Sequence, residues 1–140
     1  MILYLDTSTL LKLYIKEEDS DAIEDLVQSA DQTNTSLIAY AEGRAGLARA
    51  HRLGRLNERE RVAATTEFES RWSALGLIPV SEELVTFAGR LTDAYPLRGY
   101  DAVHLASALT LQSDSMQRVV FSTSDGQLKS AARAEGLTVP

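Results

Sequence analysis

The stretch ILYLDTSTLLKL, residues 2–13, changes its hydrophobic period at a single residue. Ile2 to Leu5 form a short apolar run suited to a buried strand. Asp6 ends that run, and apolar residues then recur at 10, 11, 13 and 14, the spacing of a short helix. A strand that hands over to a helix through an acid is the opening of an α/β unit. The same arrangement returns near the other end of the chain. In RVVFSTSDGQLKSAARAEG, residues 118–136, a β-branched run passes through hydroxyl residues to Asp125, and a helix follows that stops at Gly136.

Between these two units the pattern continues. SDAIEDLVQSA (20–30) reads as a helix, with Ser20 or Asp19 as its cap and acids in its first turn, where the helix dipole favours them. QTNTSL (32–37) is a weak strand or a turn. A long helix follows over about 36–53, stopped by Gly54, and another runs from about Asn57 to Leu75. In the latter, Phe68, Trp72 and Leu75 fall on one face, as core or as a subunit interface. LIPV (77–80) reads as a strand, and SEELVTFAGRLTDAY (81–95) as a helix capped by Ser81. A further helix spans about 99–112, and LTVP (137–140) reads as a last short strand. Strands alternating with helices imply an α/β fold, a mostly parallel central sheet flanked by helices. The length of 140 residues suits one domain, 1–140, with a sizeable core.

Composition narrows the chemistry. There are no cysteines, which removes disulfides, thiolate metal sites and thiol nucleophiles. Asp6, Lys12 and Lys16 interrupt the apolar runs near the N-terminus, so neither a signal peptide nor a membrane span is expected, and a cytoplasmic protein is the simplest reading. The net charge of −6 argues against a nucleic-acid binder, but the charge is uneven. Residues 17–31 carry seven acids and no Lys or Arg, whereas residues 44–61 carry Arg44, Arg49, Arg52, Arg55, Arg59 and Arg61 against two glutamates. That basic stretch is either a solvated helix pair laced with ion pairs or an anion-attracting surface.

In open α/β sheets ligands bind beyond the carboxyl ends of the strands, where Asp6 and Asp125 lie. Each taken alone reads first as a helix cap, although Thr7, Ser8, Ser122, Thr123 and Ser124 could cap without an acid. Two more acids fall on apolar helix faces: Glu42 in SLIAYAEGRAG and Asp101 in YDAVHLASAL. A carboxylate on a packed face is costly unless compensated. Arg98 is one structural partner for Asp101. The alternative is that all four acids converge, and a hard divalent cation bound through oxygen is then the natural compensation. Asp101 and His104, at i and i+3, could both touch one ion. No second histidine supports a zinc site, since His51 lies in the arginine-rich helix, so His104 reads as a packed residue hydrogen-bonded near the site. Tyr40 and Tyr100 read as core.

On the segments YLDTSTLLKLY, AEGRAGLARA, YDAVHLASAL and FSTSDGQLKSAARAEGL, in this order, the sequence resembles the PIN-domain ribonucleases. Within them it resembles the VapC-type toxins of toxin–antitoxin pairs. The resemblance implies a PIN-like fold and a Mg2+-dependent (or Mn2+-dependent) endoribonuclease that cleaves RNA by metal-activated water. It assigns catalysis and metal binding to Asp6, Glu42, Asp101 and Asp125, and implies a hydroxyl near the last acid, matched by Thr123 or Ser122; Thr7 and His104 are further supporting candidates. It also implies a homodimer inhibited by a cognate VapB-type antitoxin. Arg44, Arg49, Arg52 and Arg55 are the candidates for contacting RNA or that partner. Two other classes compete. A haloacid-dehalogenase-like or receiver-like domain would phosphorylate a strand-end Asp, but Ser8 stands where the former needs a second Asp. A non-catalytic interaction domain would use the acids only as caps.

Overall fold

The computed structural model describes residues 1–140. Four strands form one all-parallel sheet: β1 (Ile2–Leu5), β2 (Gln32–Ser36), β3 (Gly76–Ile78) and β4 (Val119–Ser122), in the order β3-β2-β1-β4. The helices are α1 (Thr7–Leu10), continued by a 3-10 turn at Leu11–Leu13, then α2 (Ser20–Ser29), α3 (Ala39–Arg52), α4 (Glu58–Trp72), α5 (Glu82–Ala94), α6 (Gly99–Ser115) and α7 (Gly126–Ala134). No helix is long and apolar enough to cross a membrane.

The alternation of side chains along β1 divides the core. Leu3 and Leu5 pack with Ile23 of α2, Leu47 and Ala50 of α3, and Ala64 and Phe68 of α4. Ile2 and Tyr4 point the other way, into Leu84 and Leu91 of α5, Leu105 and Ala106 of α6, and Leu128 and Ala132 of α7. Both faces of β1 are therefore covered, which is why its four residues are uniformly buried. Leu3, Leu5, Phe121 and Leu105 are fully buried, each worth about 1.5–3 kcal/mol relative to exposure.

The connections from β1 to β2 and from β2 to β3 run over one face, and α5 and α6 return over the other to place β4 on the far side of β1. The chain thus reverses direction across the sheet between β1 and β4, and the crevice beyond their carboxyl ends is the topological switch point. Asp6 and Asp125 leave these two adjacent strands.

Several sequence expectations change. The doubtful QTNTSL segment is a full strand inside the sheet. Its polar residues Asn34, Thr35 and Ser36 are buried, and the first two bond the carbonyls of Leu3 (3.2 Å) and Leu5 (2.7 Å). LTVP contributes only a single bridge, Thr138 to Val120. The 99–112 helix extends to Ser115, and α4 ends at Trp72, short of Leu75. Asp19 precedes α2 without a capping bond, because its carboxylate is taken by Lys12 at 2.5 Å. Gly54 and Gly136, both at positive φ, follow the ends of α3 and α7 as read. Phe68 is core, whereas Tyr100 is 62% exposed and belongs to no core. Tyr40 is half-buried against Phe68 and Trp72.

Candidate active site

Helices that follow parallel strands begin at the carboxyl edge of the sheet, so their N-terminal turns gather there. Three of the four acids occupy such turns, and Asp101 joins them from the start of α6, which follows α5. Asp6 is the N-cap of α1 and Asp125 the N-cap of α7, while Glu42 and Asp101 sit in the first turns of α3 and α6. The amide-rich helix starts offset part of the repulsion among them. All four line one open cavity of about 370 Å3, together with Thr7, Ser8, Arg98, His104 and Ser124. None of the lining residues is hydrophobic.

Each carboxylate is held differently. Asp6, 5% exposed, accepts at Oδ1 from the Thr9 amide (3.0 Å), the Ser8 hydroxyl (2.6 Å) and the Thr9 hydroxyl (3.2 Å). Its Oδ2 accepts from the Thr123 hydroxyl at 2.5 Å. Asp125 accepts from the Leu128 amide at Oδ1 (2.8 Å), and its own amide donates to Thr123 Oγ1 (3.1 Å). The cap reading of these two acids is therefore correct, and it accounts for only one oxygen of each. Asp101 meets Arg98 at 3.4 Å, through a guanidinium side chain that is 86% exposed. An ion pair with so exposed a partner is weak.

Glu42 is half-buried and accepts at Oε1 from Thr7 Oγ1 (2.7 Å) and from His104 Nε2 (2.7 Å). Burial alone pushes its carboxyl up, but the hydrogen bonds from His104 and Thr7 outweigh that and hold it below the ordinary glutamate range. His104 is 3% exposed with both ring nitrogens engaged, Nδ1 by Tyr4 at 2.8 Å. The expectation of a packed, hydrogen-bonded histidine beside the site describes its placement.

The structure brings the predicted quartet to one cavity but not to one point. No three His, Asp or Glu side chains stand close enough to hold a single ion directly. Each acid has its own partners: Glu42 bonds His104 and Thr7, Asp125 the start of α7, and Asp101 faces Arg98. Ser122 is buried and acts through its carbonyl, which accepts from the Asp6 amide (3.1 Å) and the Thr9 hydroxyl (2.9 Å).

The arginines separate into two groups. Arg44 bonds Glu69 and the Tyr40 hydroxyl, and Arg55 bonds Glu17. Arg49 and Arg52 have no ion-pair partner. A second groove of about 370 Å3, lined by Lys12, Arg49, Arg55 and Glu17 over an apolar floor of Leu11, Ile15 and Leu53, shares Ser8 and Ser124 with the acidic cavity. Sequence reasoning missed Tyr4, Thr9 and Lys12. Only Tyr4 left a signal, a phenol in a strand otherwise made of aliphatics.

A four-stranded parallel sheet with acids at its switch point defines a class, and comparison with known proteins agrees with it. The profile of the PIN domain matches residues 3–134, and the chain belongs to the PIN-domain family. Within that family it falls with the VapC ribonucleases. It is 36% identical to ribonuclease VapC45 of Mycobacterium tuberculosis (strain CDC 1551 / Oshkosh) over 138 residues, 99% of this chain and 94% of that one. Two solved structures share the fold. VapC20 of M. tuberculosis, described as a sarcin–ricin-loop-cleaving toxin, superposes with a TM-score of 0.65 at 19% identity over 97% of this chain and 96% of its own. VapBC2 of Rickettsia felis, bound to a DNA fragment from its promoter, gives 0.65 at 17% identity over 100% and 98%.

Proposed function

We propose that the acidic cavity is the catalytic centre of a metal-dependent endoribonuclease, the toxin half of a toxin–antitoxin pair, built on one domain over residues 1–140. The observation that carries this reading is the set of four carboxylates lining one wholly polar cavity with no lysine among them. Such a donor set fits a hard divalent cation such as Mg2+ or Mn2+, which takes few protein oxygens and keeps several waters. That preference also suits acids that share a cavity without closing on one point.

Asp6, Glu42, Asp101 and Asp125 would hold the ion. Bound there, it would supply charge neutralisation at the phosphodiester and a more acidic water. The chain's own residues orient and hold. Ser8, Thr9 and Thr123 fix Asp6 by donating to it, so its carboxylate keeps its position as an anionic substrate enters. Thr7 and His104 do the same for Glu42. No side chain is placed as a nucleophile: there is no cysteine, the Ser8 hydroxyl is spent on Asp6, and His104 has no free nitrogen to offer a proton. Attack by water on phosphorus with cleavage of the P–O3′ bond, the 3′-oxygen leaving and taking up a proton, would give a 5′-phosphate and a 3′-hydroxyl.

An RNA strand reaching this cavity needs a cationic approach, and Arg49, which lines the adjoining groove without an ion-pair partner, supplies a charge for one. A VapB-type antitoxin, a homodimeric assembly and a cytoplasmic location complete the proposal. The decisive experiment sequences RNA 5′-ends after induction of the wild-type chain and of Asp101→Asn. Mg2+-dependent cuts carrying 5′-phosphates, present only with the wild type, are expected. Equal cutting by both proteins would overturn the assignment.

A further inference from the structure

The hydroxyl of Tyr4 does nothing for the core that a phenylalanine would not do. Its ring is fully buried in β1, stacked on Phe121 with centroids 5.5 Å apart and planes 13° from parallel. A buried phenol is costly unless its oxygen is bonded, and here the partner is specific: Nδ1 of His104, at 2.8 Å. On the far side of that imidazole, Nε2 stands 2.7 Å from Glu42 Oε1. A carboxylate only accepts, so Nε2 carries the proton facing it. A neutral imidazole then presents a lone pair at Nδ1, and the Tyr4 hydroxyl is the donor to it.

We propose that Tyr4, His104 and Glu42 form a buried positioning relay for the acidic site. The Tyr4 hydroxyl fixes the tautomer and ring plane of His104, and His104 in turn fixes the Glu42 carboxylate at the cavity wall. The inference rests on the reading of that cavity as a metal site. Glu42 is tethered through Oε1 alone, and its Oε2 makes no hydrogen bond within the chain, which leaves that oxygen for a ligand. The relay also ties two site acids to one rigid element. Tyr4 and Asp6 fall on the same side of the β1 backbone by the two-residue repeat. The strand therefore supports one acid directly, at its exit, and a second through the imidazole. Tyr4 and His104 are positioning residues and touch no substrate. Partners that orient the groups around a metal typically influence affinity by 10–100-fold.

The test compares the intact chain with Tyr4→Phe, His104→Gln and a control, Tyr14→Phe, which removes a half-buried phenol packed away from the site against Phe68. Two quantities are measured: Mn2+ affinity by titration calorimetry, and the His104 tautomer by long-range 15N–1H correlation in metal-free protein. The wild type should show the Nε2–H form. Tyr4→Phe should lose that single tautomer and bind Mn2+ about tenfold more weakly, His104→Gln at least as weakly, and Tyr14→Phe as tightly as the wild type. An Nδ1–H tautomer in the wild type would overturn the relay, as would native Mn2+ affinity in folded Tyr4→Phe and His104→Gln. A wild-type chain that bound no Mn2+ would overturn the metal-site reading along with the relay, whereas native binding untouched by the substitutions would overturn the relay alone.

Discussion

At the scale of the residue, the four acids differ in what they do without a ligand, and substitutions should reveal it. Asp101 has one weak partner in the exposed Arg98, so Asp101→Asn should change metal-free stability by no more than about 0.5 kcal/mol. The same substitution should abolish the rise in melting temperature produced by Mg2+ or Mn2+. Thermal unfolding with and without metal checks both halves. Thr123 is the opposite case. Its buried hydroxyl donates to Asp6 and accepts from the Asp125 amide, joining the acids of two adjacent strands. Thr123→Val keeps the shape but strips a donor from Asp6 and leaves the Asp125 amide unpaired. It should cost on the order of 1–3 kcal/mol in urea unfolding, whereas Thr123→Ser, which preserves both bonds, should recover most of that.

At the scale of the element, the site depends on how closely α3 lies against its neighbours, because Glu42 rides on its first turn. A Cβ on Gly43 would lie 2.7 Å from the Phe68 ring. That ring is 1% exposed and wedged against Tyr14, Tyr40 and Trp72, so it has nowhere to go. A Cβ on Gly89, in the exposed face of α5, would meet nothing within 4 Å. The same substitution should therefore have opposite signs. Gly89→Ala should stabilise by up to about 1 kcal/mol through helix propensity, while Gly43→Ala should destabilise by about 1–2 kcal/mol as overpacking outweighs that gain. Equilibrium denaturation of the two variants decides it, and Gly43→Ala should also weaken metal binding by moving Glu42. Elements of this kind were partly legible in the sequence. β1 and β4 announced themselves as apolar runs ending at acids, and the capped starts of α5 and α7 were plain from Ser81 and Asp125. The strand β2 was doubtful because hydrophobic periodicity cannot register a strand whose buried Asn34 and Thr35 satisfy themselves on β1 carbonyls. Tyr100 misled for the converse reason, an aromatic in a mostly buried helix that projects from its first turn into solvent. That the four acids share a cavity could be anticipated from their positions, but the hydrogen-bond partners of each could not. The link from Tyr4 to His104 spans a hundred residues and has no local trace.

At the scale of the whole molecule, the difficulty is a chain of net charge −6 acting on a polyanion. The two sequence readings of the arginine-rich helices divide between individual residues. Arg44, Arg55 and Arg61 are neutralised within the chain by Glu69, Glu17 and Glu58, as the ion-pair reading expects. Arg49 and Arg52 are not, and Arg49 lines the groove that shares Ser8 and Ser124 with the acidic cavity. Attraction for RNA should therefore come from a few uncompensated charges near the site rather than from the overall field, which is repulsive. Each phosphate neutralised by such a charge contributes about 0.7 to the slope of log affinity against log salt for a single strand. RNA binding to the inactive Asp101→Asn chain, measured across salt concentrations, should thus show a shallow slope. Arg49→Gln should weaken binding and lower the slope by about one contact's share, whereas Arg44→Gln should leave it unchanged because Glu69 already holds that guanidinium. Equal effects from both substitutions would mean that the internal ion pairs yield to RNA and that the whole basic face is the binding surface.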